Sequence, residues 1–261
     1  MIKKKRGSIS GGAVFTLLCL LFCMALPLPL CAAGTAGAGE GHGNENSGKE
    51  AALQAVSPQA DRVAYQEGFF YESLSDAVKE RITGISYGEG CIVPYEDLRY
   101  LQVLYMDFEG QTQVGEIICN QAIAQDLAEI FFQLYQSSYP IERIRLIDEY
   151  GGDDTLSMED NNTSCFNYRV VDGTSSLSRH AYGLAVDINP LYNPYVTYPD
   201  GKRRVSPAAS EIYADRSLDF PAKIDKNDLC FRLFAEHGFT WGGNWKTMKD
   251  YQHFQKALPS K

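Results

Sequence analysis

The chain has 261 residues, with 33 acidic side chains against 24 basic ones and a formal net charge of −9. Four of the basic residues fall within the first six, so a chain processed behind them would carry −9 − 4 = −13. So acidic a body argues against nucleic acid and anionic membrane surfaces as partners, and capture of an anionic polymer would have to be local.

Lys3, Lys4, Lys5 and Arg6 form a basic n-region, and an apolar run from Ala13 to Leu30 ends in the small residues Cys31-Ala32-Ala33. Residues 1–33 therefore read as a signal peptide. An uncleaved membrane anchor is the alternative, because the run approaches spanning length. Pro27, Pro29 and the small residues behind them favour cleavage, and bulky Leu30 speaks against lipid attachment at Cys31. Every version places the body outside the cytoplasm, with membrane contact only if the leader is retained. Residues 34–61 are rich in Gly, Ala, Glu, Asn and Ser, and read as a flexible linker in which His42 is solvated. What remains, 62–261, is a comfortable size for one domain and is expected to be monomeric.

In chain order, Leu74, Ala77, Val78 and Ile82 recur at helical spacing and predict a helix over 71–82, stopped by Gly84. Leu101–Phe108 and Gln113–Ile118 flank Glu109-Gly110-Gln111-Thr112 and predict a β-hairpin. Ile123, Leu127, Ile130, Phe131 and Leu134 predict an amphipathic helix capped by Asn120. A short strand over 144–146 and an acidic, solvated loop over 153–162 follow. The loop lacks the glycine and terminal Glu of an EF-hand. Residues 166–171 and 183–188 read as core strands, 189–223 as a long loop, and 227–237 as a helix stopped by Gly238. An aromatic glycine turn over 241–245 and a last strand over 251–255 complete the chain. Hairpins and helices without regular β-α-β alternation indicate an α+β class, a small mixed or antiparallel sheet with flanking helices.

Cys91, Cys119, Cys165 and Cys230 are the cysteines of the body. Two disulfides in an exported domain and buried free thiols are both open readings, and the absence of C-x-x-C spacing speaks against a zinc knuckle.

Only four histidines are present, and two stand near carboxylates: His180 seven residues before Asp187, and His253 three after Asp250. Two imidazoles and one carboxylate make a ligand set for a catalytic Zn2+ ion that keeps a position open for water. Asp187 lies between Val186 and Ile188, where a carboxylate is costly to bury unless paired or metal-bound. The bland alternative is an Asp capping the turn at Asn189-Pro190. Asp250 is placed to take the water's proton, against the alternative of a solvated turn residue beside Lys249. Arg169 could hold a substrate carboxylate, stabilise an oxyanion, or make an ordinary surface ion pair. His237, at a helix end, fits a capping role. A serine mechanism from Ser178, His180 and Asp187 lacks a nucleophile-elbow sequence.

The stretch from about 161 to 254 resembles the zinc D,D-carboxypeptidase and L-alanyl-D-glutamate endopeptidase family of bacterial cell-wall peptidases, which shares a fold with the hedgehog signalling domain. The pattern Ser-x-His-x-x-Gly-x-Ala-x-Asp matches at Ser178, His180, Gly183, Ala185 and Asp187, and Asp-x-x-His matches at Asp250 and His253. Asn162-Thr163-Ser164, Phe166-Asn167, Asn193-Pro194 and Trp241-Gly242-Gly243 also resemble one branch of that family. The resemblance implies His180, Asp187 and His253 as zinc ligands, Asp250 as catalytic base, and Arg169 and Ser178 as substrate-binding residues, with Arg169 also acting in catalysis. It further implies a hedgehog-like fold and peptidoglycan stem peptides as substrate. An acidic ligand set without catalysis, as in a zinc-containing surface-binding module, is the rival expectation.

Overall fold

The computed structural model describes residues 61–258. The predicted leader, His42 and all of the predicted linker except Asp61 lie outside them. Four strands form an antiparallel meander: β1 (Val63–Gln66), β2 (Phe69–Ser73), β3 (Leu98–Met106) and β4 (Thr112–Asn120). Its spine is the predicted hairpin, in register from Leu98↔Asn120 to Met106↔Thr112. Leu101, Val103 and Tyr105 alternate inward with period two, which buries one face of β3. At the turn, Asp107 Oδ1 accepts from the amides of Glu109 and Gln111 at 3.1 and 2.7 Å.

Helix α1 (Asp76–Ile82) lies between β2 and β3, and this corrects the helix expected over 71–82. Tyr71 to Ser73 belong to β2, with Tyr71 opposite Leu101. The helical spacing of Leu74, Val78 and Ile82 is real. A neighbouring strand edge nevertheless takes the aromatic run before it, and Ser75, whose Oγ accepts from Val78 N, marks the true start.

Helix α2 (Gln121–Gln136) leaves β4 without a loop, because Asn120 ends the strand and caps the helix, its Oδ1 accepting from Ala122 N at 3.0 Å. Ile123, Leu127, Ile130, Phe131 and Leu134 face the sheet and are fully buried. Each such burial contributes about 1.5–3 kcal/mol. Together they outweigh the ~0.7 kcal/mol or less per residue that separates ordinary helix formers. Leu74, Val78, Ile82, Leu98, Ile118 and Phe166 form a smaller cluster that includes α1.

Strand β5 (Arg143–Ile144) pairs in parallel with β6 (Asn162–Thr163). Between them the acidic stretch expected as a loop folds into α3 (Asp154–Glu159), because Asp153 Oδ1 caps the amides of Thr155 and Leu156. Residues 166–171, expected as a strand, form no ladder. The amide of Phe166 bonds to Ile118 O, that of Asn167 to His180 O, and that of Tyr168 to Ser86 O. The apolar side chains are absorbed by the core while the backbone knits three elements together.

The last third holds β7 (Ala185–Asp187), β8 (Tyr195–Thr197), β9 (Arg204–Ser206), α4 (Leu229–Glu236), β10 (Thr240–Trp241), β11 (Lys249–Asp250) and β12 (His253–Gln255). Two three-stranded antiparallel sheets result, in the orders β10-β12-β7 and β11-β8-β9. The loop expected over 189–223 thus contains two short strands, and no sequence period announces segments of three residues. The architecture is mixed α+β with small, mainly antiparallel sheets.

All four body cysteines are free thiols, so the two-disulfide alternative is not realised. Burial pushes the Cys119 thiol up to about 12, which keeps it protonated. No helix among the described residues is long and apolar enough to cross a membrane.

One junction ties the meander to the last third. Gly183 sits at φ +66°, and a Cβ there would come within 2.7 Å of the Asn120 amide nitrogen. Asn120 N donates to Gly183 O at 2.8 Å and Asn120 Nδ2 to Tyr182 O at 3.1 Å. The turn bearing His180 is therefore seated directly on the β4–α2 corner.

Candidate metal centre

His180 opens a single 3-10 turn, His180–Tyr182, just before β7. Ser178 Oγ accepts from its amide at 3.3 Å and anchors that turn. Asp187 ends β7, directly opposite His253 on β12 in the antiparallel register. Directly opposed residues project to the same side of a sheet, so this register brings together groups 66 residues apart in the chain. The three side chains meet: His180 Nε2 lies 3.2 Å from both His253 Nδ1 and Asp187 Oδ2, and His253 Nδ1 lies 3.0 Å from Asp187 Oδ1. Among the described residues this is the one grouping of His, Cys, Asp or Glu with metal-ligand spacing.

The outer ring nitrogens decide what the inner ones carry. His180 Nδ1 is 2.6 Å from the carbonyl of Cys165, and His253 Nε2 is 3.0 Å from Gln255 Oε1. A carbonyl oxygen only accepts, so each outer nitrogen donates its N–H, and each neutral ring turns a bare lone pair inward. Two lone pairs and a carboxylate then face one another at 3.0–3.2 Å. His180, Asp187 and His253 are only 4%, 7% and 6% exposed, so water cannot relieve the concentration of negative potential.

Such a centre calls for positive charge. Burial alone would lower the His253 pKa, but the hydrogen bond and charge of Asp187 outweigh it and raise it to about 9. Burial works against the Asp187 carboxylate as well, yet the two imidazoles hold it well below the ordinary range. A divalent cation satisfies the same demand without a proton. Ligands at ~2.0–2.1 Å in a tetrahedron stand about 3.3 Å apart, close to the separations here, and N/N/O donors suit zinc. The residues fit the metal.

Asp250 lies on β11, opposite Tyr195 of β8. Its Oδ1 is buried and has no hydrogen-bond partner. Burial above all, with the negative charge of Asp187, pushes its pKa to about 7, although His253 and His180 pull it down. A carboxylate poised there takes up and gives back a proton at neutral pH. The chain reaches this position only because residue 242 is glycine: a Cβ on Gly242 would stand 2.6 Å from Asp250 O and 2.7 Å from Asp250 Cβ. Gly242→Ala is therefore expected to displace the Asp250 carboxylate and lower turnover about 100-fold, with metal content unchanged. Steady-state rates beside metal analysis check this, and an unaltered rate would refute it. Trp245 closes another side, its ring centroid 5.4 Å from that of His253.

The remaining predicted residues take other places. The Arg169 guanidinium is ion-paired with Asp154, its Nη1 bonds to Val170 O at 3.4 Å, and its buried Nε is unpartnered. Its backbone carbonyl accepts from Ser178 N. Ser178 itself is buried against the His180 amide, and the His180 ring is turned toward Cys165 O, so no Ser178–His180–Asp187 relay forms. His237 follows α4 and hydrogen-bonds Asp126 Oδ1 at 3.2 Å. The two outer acceptors were not foreseen. Gln255 stands two residues from His253 on the same strand face, a spacing that could have revealed it. The Cys165 contribution is a backbone carbonyl, which no side-chain pattern reports.

Residues 172–256 match a family model described as D-alanyl-D-alanine carboxypeptidase. No curated protein and no solved structure matches the chain.

Proposed function

Because residues 172–256 match the D-alanyl-D-alanine carboxypeptidase family model, we propose that the chain is an exported zinc peptidase of peptidoglycan stem peptides, acting as a D,D-carboxypeptidase or an L-alanyl-D-glutamate endopeptidase. The observation that carries this reading is the inward convergence of His180, Asp187 and His253 near a half-buried Asp250 whose Oδ1 is buried without a hydrogen-bond partner. In it, His180, Asp187 and His253 hold the metal in a hedgehog-like domain spanning 62–261, behind a leader and linker. Zinc, when bound, would polarise the scissile carbonyl and acidify a water molecule.

The chain's own residues do the rest. Asp250 takes the proton from the water that adds to the carbonyl carbon. It delivers that proton to the amine as the C–N bond breaks, so the carboxylate is regenerated. Cys165 O and Gln255 Oε1 keep both imidazoles in the tautomer that faces inward. Ser178 holds the turn on which His180 sits. Arg169 would bind the substrate's carboxylate by exchanging it for Asp154, an exchange of like for like. The acidic body suits neither nucleic acid nor an anionic membrane, and the protein works as a monomer.

A zinc-containing binding module without turnover is the rival. Asp250 disfavours it, because keeping its buried Oδ1 without a hydrogen-bond partner, within the field of the Asp187 carboxylate, costs stability that binding alone does not require. Mass spectrometry of purified peptidoglycan digested with the zinc-loaded protein tests the proposal. Release of D-alanine identifies a carboxypeptidase, and a break between L-alanine and D-glutamate identifies an endopeptidase. Intact muropeptides after prolonged digestion would leave the binding module.

A further inference from the structure

Resting on that hydrolytic reading, we infer that Tyr195 is a further catalytic residue, whose phenolic O–H donates a hydrogen bond to the scissile carbonyl oxygen as that oxygen gains negative charge. The residue lies on β8 directly opposite Asp250 on β11, so the two side chains leave the same face of the sheet with Cβ atoms roughly 5 Å apart. The phenol also feels the charges of both Asp250 and Asp172. Asp172 is exposed, in the turn between Val170 and Leu177, and the Val170–Leu177 bridge closes the turn that leads back to Ser178 and His180. Tyr195 thus lies beside the candidate base and remains partly exposed to solvent.

The hydroxyl is available. Its partner is the thioether of Met248, at 3.2 Å, a weak acceptor that a carbonyl oxygen readily replaces. Arg169 is assigned to the substrate's carboxylate in exchange for Asp154, and the amide of Gln252 is buried and donates to Met158. Tyr195 is half-buried, within reach of solvent. Burial first, then the charges of Asp250 and Asp172, hold the phenol above its ordinary value, so it remains a donor throughout the working range. A neutral donor has a further advantage here. It can stabilise an oxyanion without adding a positive charge that would pull Asp250 away from its task.

The test uses full-length zinc-loaded protein and two variants, Tyr195→Phe and Met248→Leu. A phosphinate analogue of D-alanyl-D-alanine, which presents a tetrahedral anionic oxygen, is titrated by calorimetry, and kcat and KM are measured on a D-alanyl-D-alanine-terminated stem peptide. Tyr195→Phe is expected to lose about 10- to 100-fold in kcat and in phosphinate affinity. Its KM should stay within about threefold and its zinc content should not change. Met248→Leu, which removes only the hydroxyl's partner within the chain, should match the parent in every measure. Full kcat and full phosphinate affinity in Tyr195→Phe would overturn the assignment while leaving the peptidase reading intact. Equal losses in Met248→Leu would also overturn it, by making the hydroxyl structural. A parent protein that neither cleaves the peptide nor binds the phosphinate would remove both readings together.

Discussion

Replacing His253 by alanine is expected to empty the metal centre, with bound zinc falling from about one per chain to a small fraction of that. His253 is one of three inward donors, and its partners at 3.0–3.2 Å come from two other segments, so no neighbour can take over its position. If the three ligands share a binding free energy of ~10–16 kcal/mol about equally, losing one weakens affinity roughly 10²- to 10⁴-fold. Peptidase activity should fall at least in proportion. Elemental analysis of dialysed protein reads the first effect and muropeptide digestion the second. Stoichiometric zinc in His253→Ala would mean that the metal, if any, sits elsewhere. Loss of activity alone, with zinc retained, would equally dislodge His253 from the ligand set.

Asp250→Asn is expected to behave in the opposite way, keeping its zinc while losing about 10²- to 10⁴-fold in kcat. The amide fills the same space but cannot accept a proton. Its effect on stability has a predictable sign in the metal-free protein. The carboxyl titrates at about 7 in the fold against 3.8 for an ordinary aspartate, chiefly because it is buried. Between those values the folded chain holds a proton that the unfolded chain has released, so rising pH disfavours folding through this group. Asparagine is free of that liability. The metal-free variant should therefore gain stability over the parent as pH climbs from about 4 to about 7, with the gain levelling off above. Urea unfolding at pH 5 and pH 8 measures it. A gain that shrinks with rising pH would contradict the burial of this carboxyl, and unchanged kcat would remove its role as base.

The candidate centre could be read from the residues because its groups are chemically conspicuous, although Asp187 and His253 lie on three-residue strands and His180 on a 3-10 turn. Asp187 between Val186 and Ile188 is an anomaly in an apolar run, and the metal-centre geometry resolves it: the carboxylate faces His253 across β7 and β12. The hairpin of β3 and β4 and helix α2 were equally legible, since each keeps one period over nine residues or more. What escaped depends on partners rather than on period. Residues 69–73 became strand because β3 offered an edge, and 166–171 failed to become one because three different elements claimed successive amides. The helix α3 was hidden by its own acidity, although Asp153 is an ordinary cap. The pairing of Arg169 with Asp154 required knowing that α3 folds back to it. Likewise, a role for Tyr195 emerges only from the register of two strands two and three residues long.

The seat of Gly183 on the β4–α2 corner has a consequence for how the candidate site can be divided from the rest of the chain. The stretch that matches the carboxypeptidase family model begins at residue 172 and contains the three candidate ligands and the candidate base. Yet the carbonyl that orients His180 belongs to Cys165, the strand edge bonded to Asp187 is Ser164, and the bracket beneath the His180 turn is Asn120. A fragment cut at the family boundary would own the chemistry and lack its foundation. The earlier hundred residues, whatever their ancestry, are the workbench to which the tool is bolted.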